Sequence, residues 1–168
     1  MNIQPAVYNP VIPQGVTVRL RFRSVSPSVP ATYTNGKWID DATGLELDPS
    51  LVVANDLTGK EVRAAVRRRH SEPTPAISFT EASGNVFLDP LTGIYGIDFK
   101  PAATSALNSA TAASHQKSPE FDYVVDEAGA VVLRASKWVY DIEIFDPVTG
   151  EVSRPINGLI TLTAEVTR

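Results

Sequence analysis

The chain has no cysteine, one methionine and only two histidines in 168 residues. Without cysteine there is no disulfide, no thiolate metal ligand and no cysteine nucleophile. A chain built this way suits a reducing cytosol, or a particle assembled there. His70 and His115 make a Ser/His/Asp relay arithmetically possible, but no Gly-x-Ser-x-Gly elbow, Gly-rich phosphate loop or His-x-x-x-His metal pair supports one. Both histidines read as exposed loop residues. The expectation is no enzyme, no catalytic residue, no metal and no cofactor. No window approaches 18 uninterrupted apolar residues, which excludes a membrane-spanning helix. Met1 to Pro5 carry neither the basic nor the apolar segment of a secretory signal.

Apolar residues at 43% and charged residues at 20% describe one ordinary globular domain with a real core. Net charge is −4, unevenly spread. Residues 1–70 hold nine cations against six carboxylates, whereas residues 71–168 hold six against thirteen. Opposite signs in the two halves fit association with further copies of the chain, or two separately solvated surfaces.

The dominant period is two. In Val16-Thr17-Val18-Arg19-Leu20-Arg21-Phe22-Arg23, apolar residues take every even position, so Val16, Val18, Leu20 and Phe22 face a core and the arginines face out. Trp138 to Ile144 and Leu159 to Val166 repeat this logic, the latter with Ile160, Leu162, Ala164 and Val166 inward. Weaker strands read at Val62–Arg69, Ala76–Thr80, Asn85–Leu88 and Ile94–Phe99. Asp89-Pro90-Leu91-Thr92-Gly93 and Asp146-Pro147-Val148-Thr149-Gly150 are near-identical hairpin turns, each between alternating runs. Asp41-Ala42-Thr43-Gly44 and Asp56-Leu57-Thr58-Gly59 are relatives without proline, and Asn157-Gly158 marks a tight turn or a bulge. The fold expected is all-β, an antiparallel β-sandwich of about seven strands.

Three stretches depart from the sheet. Residues 1–15, with prolines at 5, 10 and 13, read as an extended N-terminal arm to a single domain over 16–168. Residues 24–55 read as a long loop or decorated insertion. Pro101 opens a short helix to about residue 110, and 111–136 forms a second insertion. Within it, Phe121–Ala135 suits a small hairpin turning at Glu127-Ala128-Gly129.

Among polar features, Arg63, Arg67, Arg68 and Arg69 stand out. Arg63, Arg67 and Arg69 share one strand face, and Arg19, Arg21 and Arg23 would join them in one basic surface if the two strands are neighbours. No exposed aromatic lies among these arginines and the chain is acidic, so nucleic acid is not the expected partner. A protein-docking surface and a solvated face remain open, arginine suiting the former through bidentate pairing with carboxylates. Asp40, Asp41, Glu46 and Asp48 form a carboxylate cluster without the residue order of a calcium loop.

The run Lys137 to Pro147, then Glu151 to Gly158 and Leu159 to Arg168, resembles the ending of small immunoglobulin-like proteins in the structural modules of tailed bacteriophages. The upstream order is similar too: Asp56-Leu57-Thr58-Gly59 into a strand, Ser78-Phe79, Asp89-Pro90-Leu91-Thr92-Gly93, then an Ala-rich helix. That group includes the N-terminal domain of baseplate upper proteins, which joins receptor-binding or fibre parts to the tail. The resemblance spans residues 56–110 and 137–168. The arm and both insertions depart from it. It implies an immunoglobulin-like sandwich acting as a virion structural protein of the tail or baseplate, assembled in the bacterial cytoplasm. Partners would be other virion proteins and copies of itself, with no nucleic acid and no membrane. The residues expected to dock are Val7, Tyr8, Val11 and Ile12 of the arm, and Arg19, Arg21, Arg23, Arg67 and Arg69. A capsid decoration protein stays open, as does a carbohydrate-binding module stacking sugars on Trp38, Tyr33 and Tyr123.

Overall fold

The computed structural model describes residues 6–112, 121–125, 128–129 and 131–163. Among these the backbone forms fourteen strands and one α-helix. The first half supplies β1 (Ala6–Val7), β2 (Val11–Pro13), β3 (Val18–Arg23), β4 (Val25–Pro27), β5 (Ala31–Thr34), β6 (Lys37–Asp40) and β7 (Val52–Ala54). The second supplies β8 (Glu61–Arg67), β9 (Ile77–Phe79), β10 (Val86–Asp89), β11 (Ile94–Phe99), α1 (Pro101–Ala112), β12 (Phe121–Val125), β13 (Val131–Phe145) and β14 (Val152–Thr163).

Period-two alternation turns these strands into two layers, the all-β sandwich the sequence implies. The large sheet runs β9-β8-β13-β14, with β1 and β2 on its β14 edge. β13 is its spine: β14 pairs along one side, while β8 and β12 share the other. The small sheet is β10-β11-β3, antiparallel throughout. Trp138, Tyr140, Ile142 and Ile144 point inward from β13, as do Ile156, Ile160 and Leu162 from β14 and Val62, Ala64 and Val66 from β8. They meet Leu20, Tyr95, Ile97 and Phe99 of the small sheet in one core, where Phe79 and Phe99 pack edge to face at 4.9 Å. Burial pushes the phenols of Tyr95 and Tyr140 above their ordinary value.

Several boundaries shift for local reasons. Val16 lies outside β3 and is exposed, so the buried alternation begins at Val18. β8 stops at Arg67, because the chain then turns toward Pro73 and Arg68 pairs with Glu72 at 2.8 Å. The helix runs two residues past its expected end, carried by alanine's propensity. The Phe121–Ala135 hairpin is present as β12 on β13, with Gly129 at φ 81°. Ala164 and Val166, His115, Met1 to Pro5, Asp126 and Glu127 lie outside the described residues.

Both Asp-Pro hairpins form where the sequence puts them. Asp146 accepts the N–H groups of Val148 and Thr149 at 2.8 and 3.0 Å, and Gly150 takes φ 75°. The relative in the first insertion starts one residue earlier than expected. Asp40, not Asp41, accepts the Ala42 N–H, giving Asp40-Asp41-Ala42-Thr43-Gly44 the same frame. Asn157-Gly158 is neither turn nor bulge: both residues sit in β14, opposite Asp141 and Tyr140. Glycine is needed at 158 because a Cβ there would overlap the backbone oxygen of Tyr8.

That contact corrects the reading of residues 1–15. The described part of the arm is an edge of the chain's own sheet, with β1 and β2 both parallel to β14. Pro10 and Pro13 do not prevent this, because an edge strand needs donors on one side only. Pro10 O accepts from Thr161 N at 2.9 Å, and the Asn9 side chain accepts from Leu159 N where the two short strands break. Ile12 is fully buried and Tyr140 donates its hydroxyl to Tyr8 O. Gly15 N then donates to Thr104 Oγ1 at the buried side of α1.

Residues 24–55 likewise carry more order than a long loop. β4 continues β3 after Ser24 and pairs with β7, forming a stalk. Beyond it, β5 and β6 form a hairpin around Asn35-Gly36, both at positive φ as a type I′ turn requires. Asp48 caps the 3-10 turn Pro49–Leu51 that leads back to β7. The insertion is therefore a finger extending the end of the small sheet.

Candidate functional site

The register of the large sheet fixes what its outer face displays. Arg67, Val139 and Leu159 form one row across β8, β13 and β14. The next holds Ser78, Ala65, Asp141, Asn157 and Val7, running from β9 to β1. Arg63 and Glu143 pair in the row after that, where a bulge in the β13–β14 ladder brings Arg154 alongside. Val11 stands opposite Thr161 on the same face. The result is a broad surface with a groove of about 700 Å³ over its β8 and β9 side.

Charges alternate across this face. Glu143 accepts Arg63 Nε at 2.6 Å and Arg154 Nε at 2.5 Å, and only 11% of its side chain is exposed. Arg67 reaches Asp141 at 3.5 Å, and the Arg63 guanidinium lies 4.7 Å from the Phe145 ring centre. Burial works to raise Glu143, but the hydrogen bonds from both arginines outweigh it and hold the carboxyl below its ordinary range. Replacing Glu143 with Gln leaves Arg63 without its anion and Arg154 with only Asp141, 3.8 Å away. The expected loss is about 1–3 kcal/mol of unfolding free energy, against about 0–1 kcal/mol for Glu46→Gln at the exposed Lys37 pair. Urea denaturation of the two variants measures the difference.

Asp146 is held well below the carboxylate range by Lys60, 2.7 Å away, and by the turn N–H groups. Asp48 and Asp56 are lowered by hydrogen bonds from Ser50 and Thr58. All four carboxyls titrate lower folded than unfolded, so the unfolded chain takes up protons first as pH falls. Their contribution is complete above the ordinary values of 3.8 and 4.5 and drains away below them. The urea midpoint should therefore hold steady as far as these groups go from pH 7 to 5, then drop between pH 4.5 and 2.5, which denaturation curves at fixed ionic strength would show.

The residues expected to dock fall on two opposite faces. Val7 and Val11, 70% and 66% exposed, share the large sheet's outer face with Arg67 and with the exposed Leu159. Tyr8 is half exposed and packs edge to face on Phe22 at 5.5 Å. Ile12 is removed from the set, because its side chain belongs to the core. Arg19, Arg21 and Arg23 lie on the outer face of the small sheet, across the core from Arg67. β3 and β8 belong to different sheets, so no single basic surface forms. Arg21 pairs with Asp98 at 2.6 Å and lies 4.5 Å from the Phe87 ring centre, while Arg23 donates to Thr92 O. Arg69 sits in the turn beyond β8, exposed.

Arg154 and Glu143 belong to the site without having been singled out from sequence. The outward carboxylates of β13, two residues apart, matched the outward arginines of β8, and that complementarity was the available signal. Among the described residues no His, Asp or Glu grouping could hold a metal ion. Within the acidic cluster, Asp41 accepts from Thr32 and Glu46 from Lys37, while Asp40 and Asp48 serve turns. Tyr33 and Trp38 pair across the finger hairpin at 5.0 Å, with Tyr33 60% exposed. The side chain of Tyr123 lies outside what is described. His70 is exposed at the rim of the groove. No protein-family model matches the chain, and no curated protein matches it by sequence.

Proposed function

We propose that this protein is a structural component of a tailed-bacteriophage particle, an adaptor at the tail or baseplate that docks fibres or spikes through protein–protein contacts. The single observation that carries the reading is the outer face of the large sheet. Val7, Val11 and Leu159 stand exposed there beside a ladder of paired arginines and carboxylates. Exposed apolar groups rimmed by satisfied charge are what a protein partner covers. The resemblance of residues 56–110 and 137–168 to small phage structural proteins supplies the particle. The reading assigns no catalytic activity, no cofactor, no nucleic acid and no bilayer as partner. No described helix is long and apolar enough to cross a membrane.

The test is the copy number in purified particles, by quantitative mass spectrometry against the major capsid protein. About six to eighteen copies, a small multiple of a cyclic ring, support the adaptor. Hundreds of copies shift the assignment to capsid decoration, and absence from particles overturns both. The Tyr33–Trp38 pair favours one second reading, a sugar-stacking module, which binding of host polysaccharide by the isolated protein would support.

A further inference from the structure

We infer that the acidic finger of one copy docks in the arginine-lined groove of another, joining copies head to tail. The proposal stands apart from the phage reading, because both surfaces belong to this chain. The groove side rests on how Glu143 is held. Arg63 and Arg154 approach it through Nε, Arg154 Nε lying also 3.8 Å from Asp141 and the Arg63 guanidinium over the Phe145 ring, and neither terminal fork makes a hydrogen bond among the described residues. Glu143 lies low, whereas Arg154 is 64% exposed and Arg63 nearly half exposed. The carboxylate is therefore at the bottom and the guanidinium edges are at the top. Pro73, Pro75 and Val139 supply apolar walls to the same groove, whose other carboxylates, Asp141 and Glu72, are paired with Arg67 and Arg68. Such a site takes a carboxylate bidentately, with an apolar side chain beside it.

The finger carries that chemistry. Residues 24–55 hold Asp40, Asp41, Glu46 and Asp48 against Lys37 alone, a net charge of −3. Its turn carries Asp41, and Glu46 follows Leu45, which is 69% exposed. The finger prolongs the end of β3 in the small sheet, and the groove lies on the outer face of the large sheet. The base of the finger, Ser24 and Asn55, lines a second cavity with Arg154, but among the described residues no ion pair joins the finger to Arg63 or Arg154: Asp41 bonds to Thr32 and Glu46 to Lys37 within the finger. A second copy can bring the two surfaces together, and a heterologous contact of this kind closes into a ring or grows as a filament.

Sedimentation velocity of the whole protein at about 20 mM ionic strength, where screening is weak, tests this. The weight-average mass should rise above 18.1 kDa with concentration and fall back at about 0.5 M salt. Arg154→Glu alone, and Asp41→Arg alone, should each weaken association about tenfold or more. Mixing the two variants should restore it, because the reversed finger of one meets the reversed groove of the other. Arg154→Gln, which keeps a hydrogen-bond donor, guards against a folding defect, and matched melting curves confirm that each variant is folded. A wild type that stays monomeric overturns the proposal, as do variants that associate unchanged or a mixture that fails to recover. Binding of an acidic polysaccharide through Arg154 by a monomeric wild type also overturns it, in favour of a glycan occupant.

Discussion

Gly96→Ala should unfold near 10 °C below the parent chain, a loss of about 3 kcal/mol at the upper end of what overpacking costs. Gly96 lies in the middle strand of the small sheet, paired with Arg21 of β3 and Phe87 of β10. A Cβ there would overlap the backbone oxygen of Leu20 and crowd its carbonyl carbon. Neither is the end of a flexible side chain, so β3 itself must move. Moving it pulls Leu20 from the core and Arg21 from the Phe87 ring, Asp98 and the carbonyl of Ile97. Gly150→Ala is the comparison. Its φ of 75° is strained for alanine, yet nothing lies within 4 Å of the new methyl, so the cost is about 1 kcal/mol. Thermal melts of both variants decide it, and equal losses would mean that the strands are not pressed together at Gly96.

That crowding is invisible in the sequence, where Tyr95-Gly96-Ile97 reads as a strand with one weak position. Alternation was legible wherever one face is buried: Leu20, Trp138, Tyr140, Ile142, Ile160 and Leu162 all point where period two puts them. The Asp-Pro turns were legible because aspartate, proline and a left-handed glycine act within five residues. Asn35-Gly36 carried an equally local hairpin signal, overshadowed by Pro27, Pro30 and Pro49 around it. Long-range partners were not legible. Nothing near Val62 says whether β8 lies beside β3 or beside β13, yet that choice separates Arg67 from Arg19, Arg21 and Arg23 and gives Arg63 to Glu143, eighty residues away.

The same distinction shapes the candidate site. Residue type could be read for Val7 and Val11, and face as well for Arg67, and all three stand on the exposed side of the large sheet. What assembles them is β14, which carries the arm on one edge and, through the bulge opposite Glu143, delivers Arg154. A bulge that re-aims one arginine leaves no mark in the alternation on either side of it.

Ile12→Ala should cost about 2–5 kcal/mol, whereas Val11→Ala, one residue away, should stay within about 0.5 kcal/mol. The arm alternates like any strand. Val11 faces out opposite Thr161, and Ile12 faces in opposite Leu162, fully buried in the core. Truncating Ile12 opens a cavity in the core beneath β14, beside Leu162. Deleting residues 1–14 removes that side chain together with the Tyr8 oxygen that satisfies Tyr140 and the acceptors on Asn9 and Pro10. The shortened chain should therefore be far less stable than the parent, rather than an intact sandwich missing an attachment arm. Urea denaturation of the two point variants is the measurement. If Ile12→Ala and Val11→Ala proved equally mild, the arm would be separable from the core, and its role would have to be sought outside the chain.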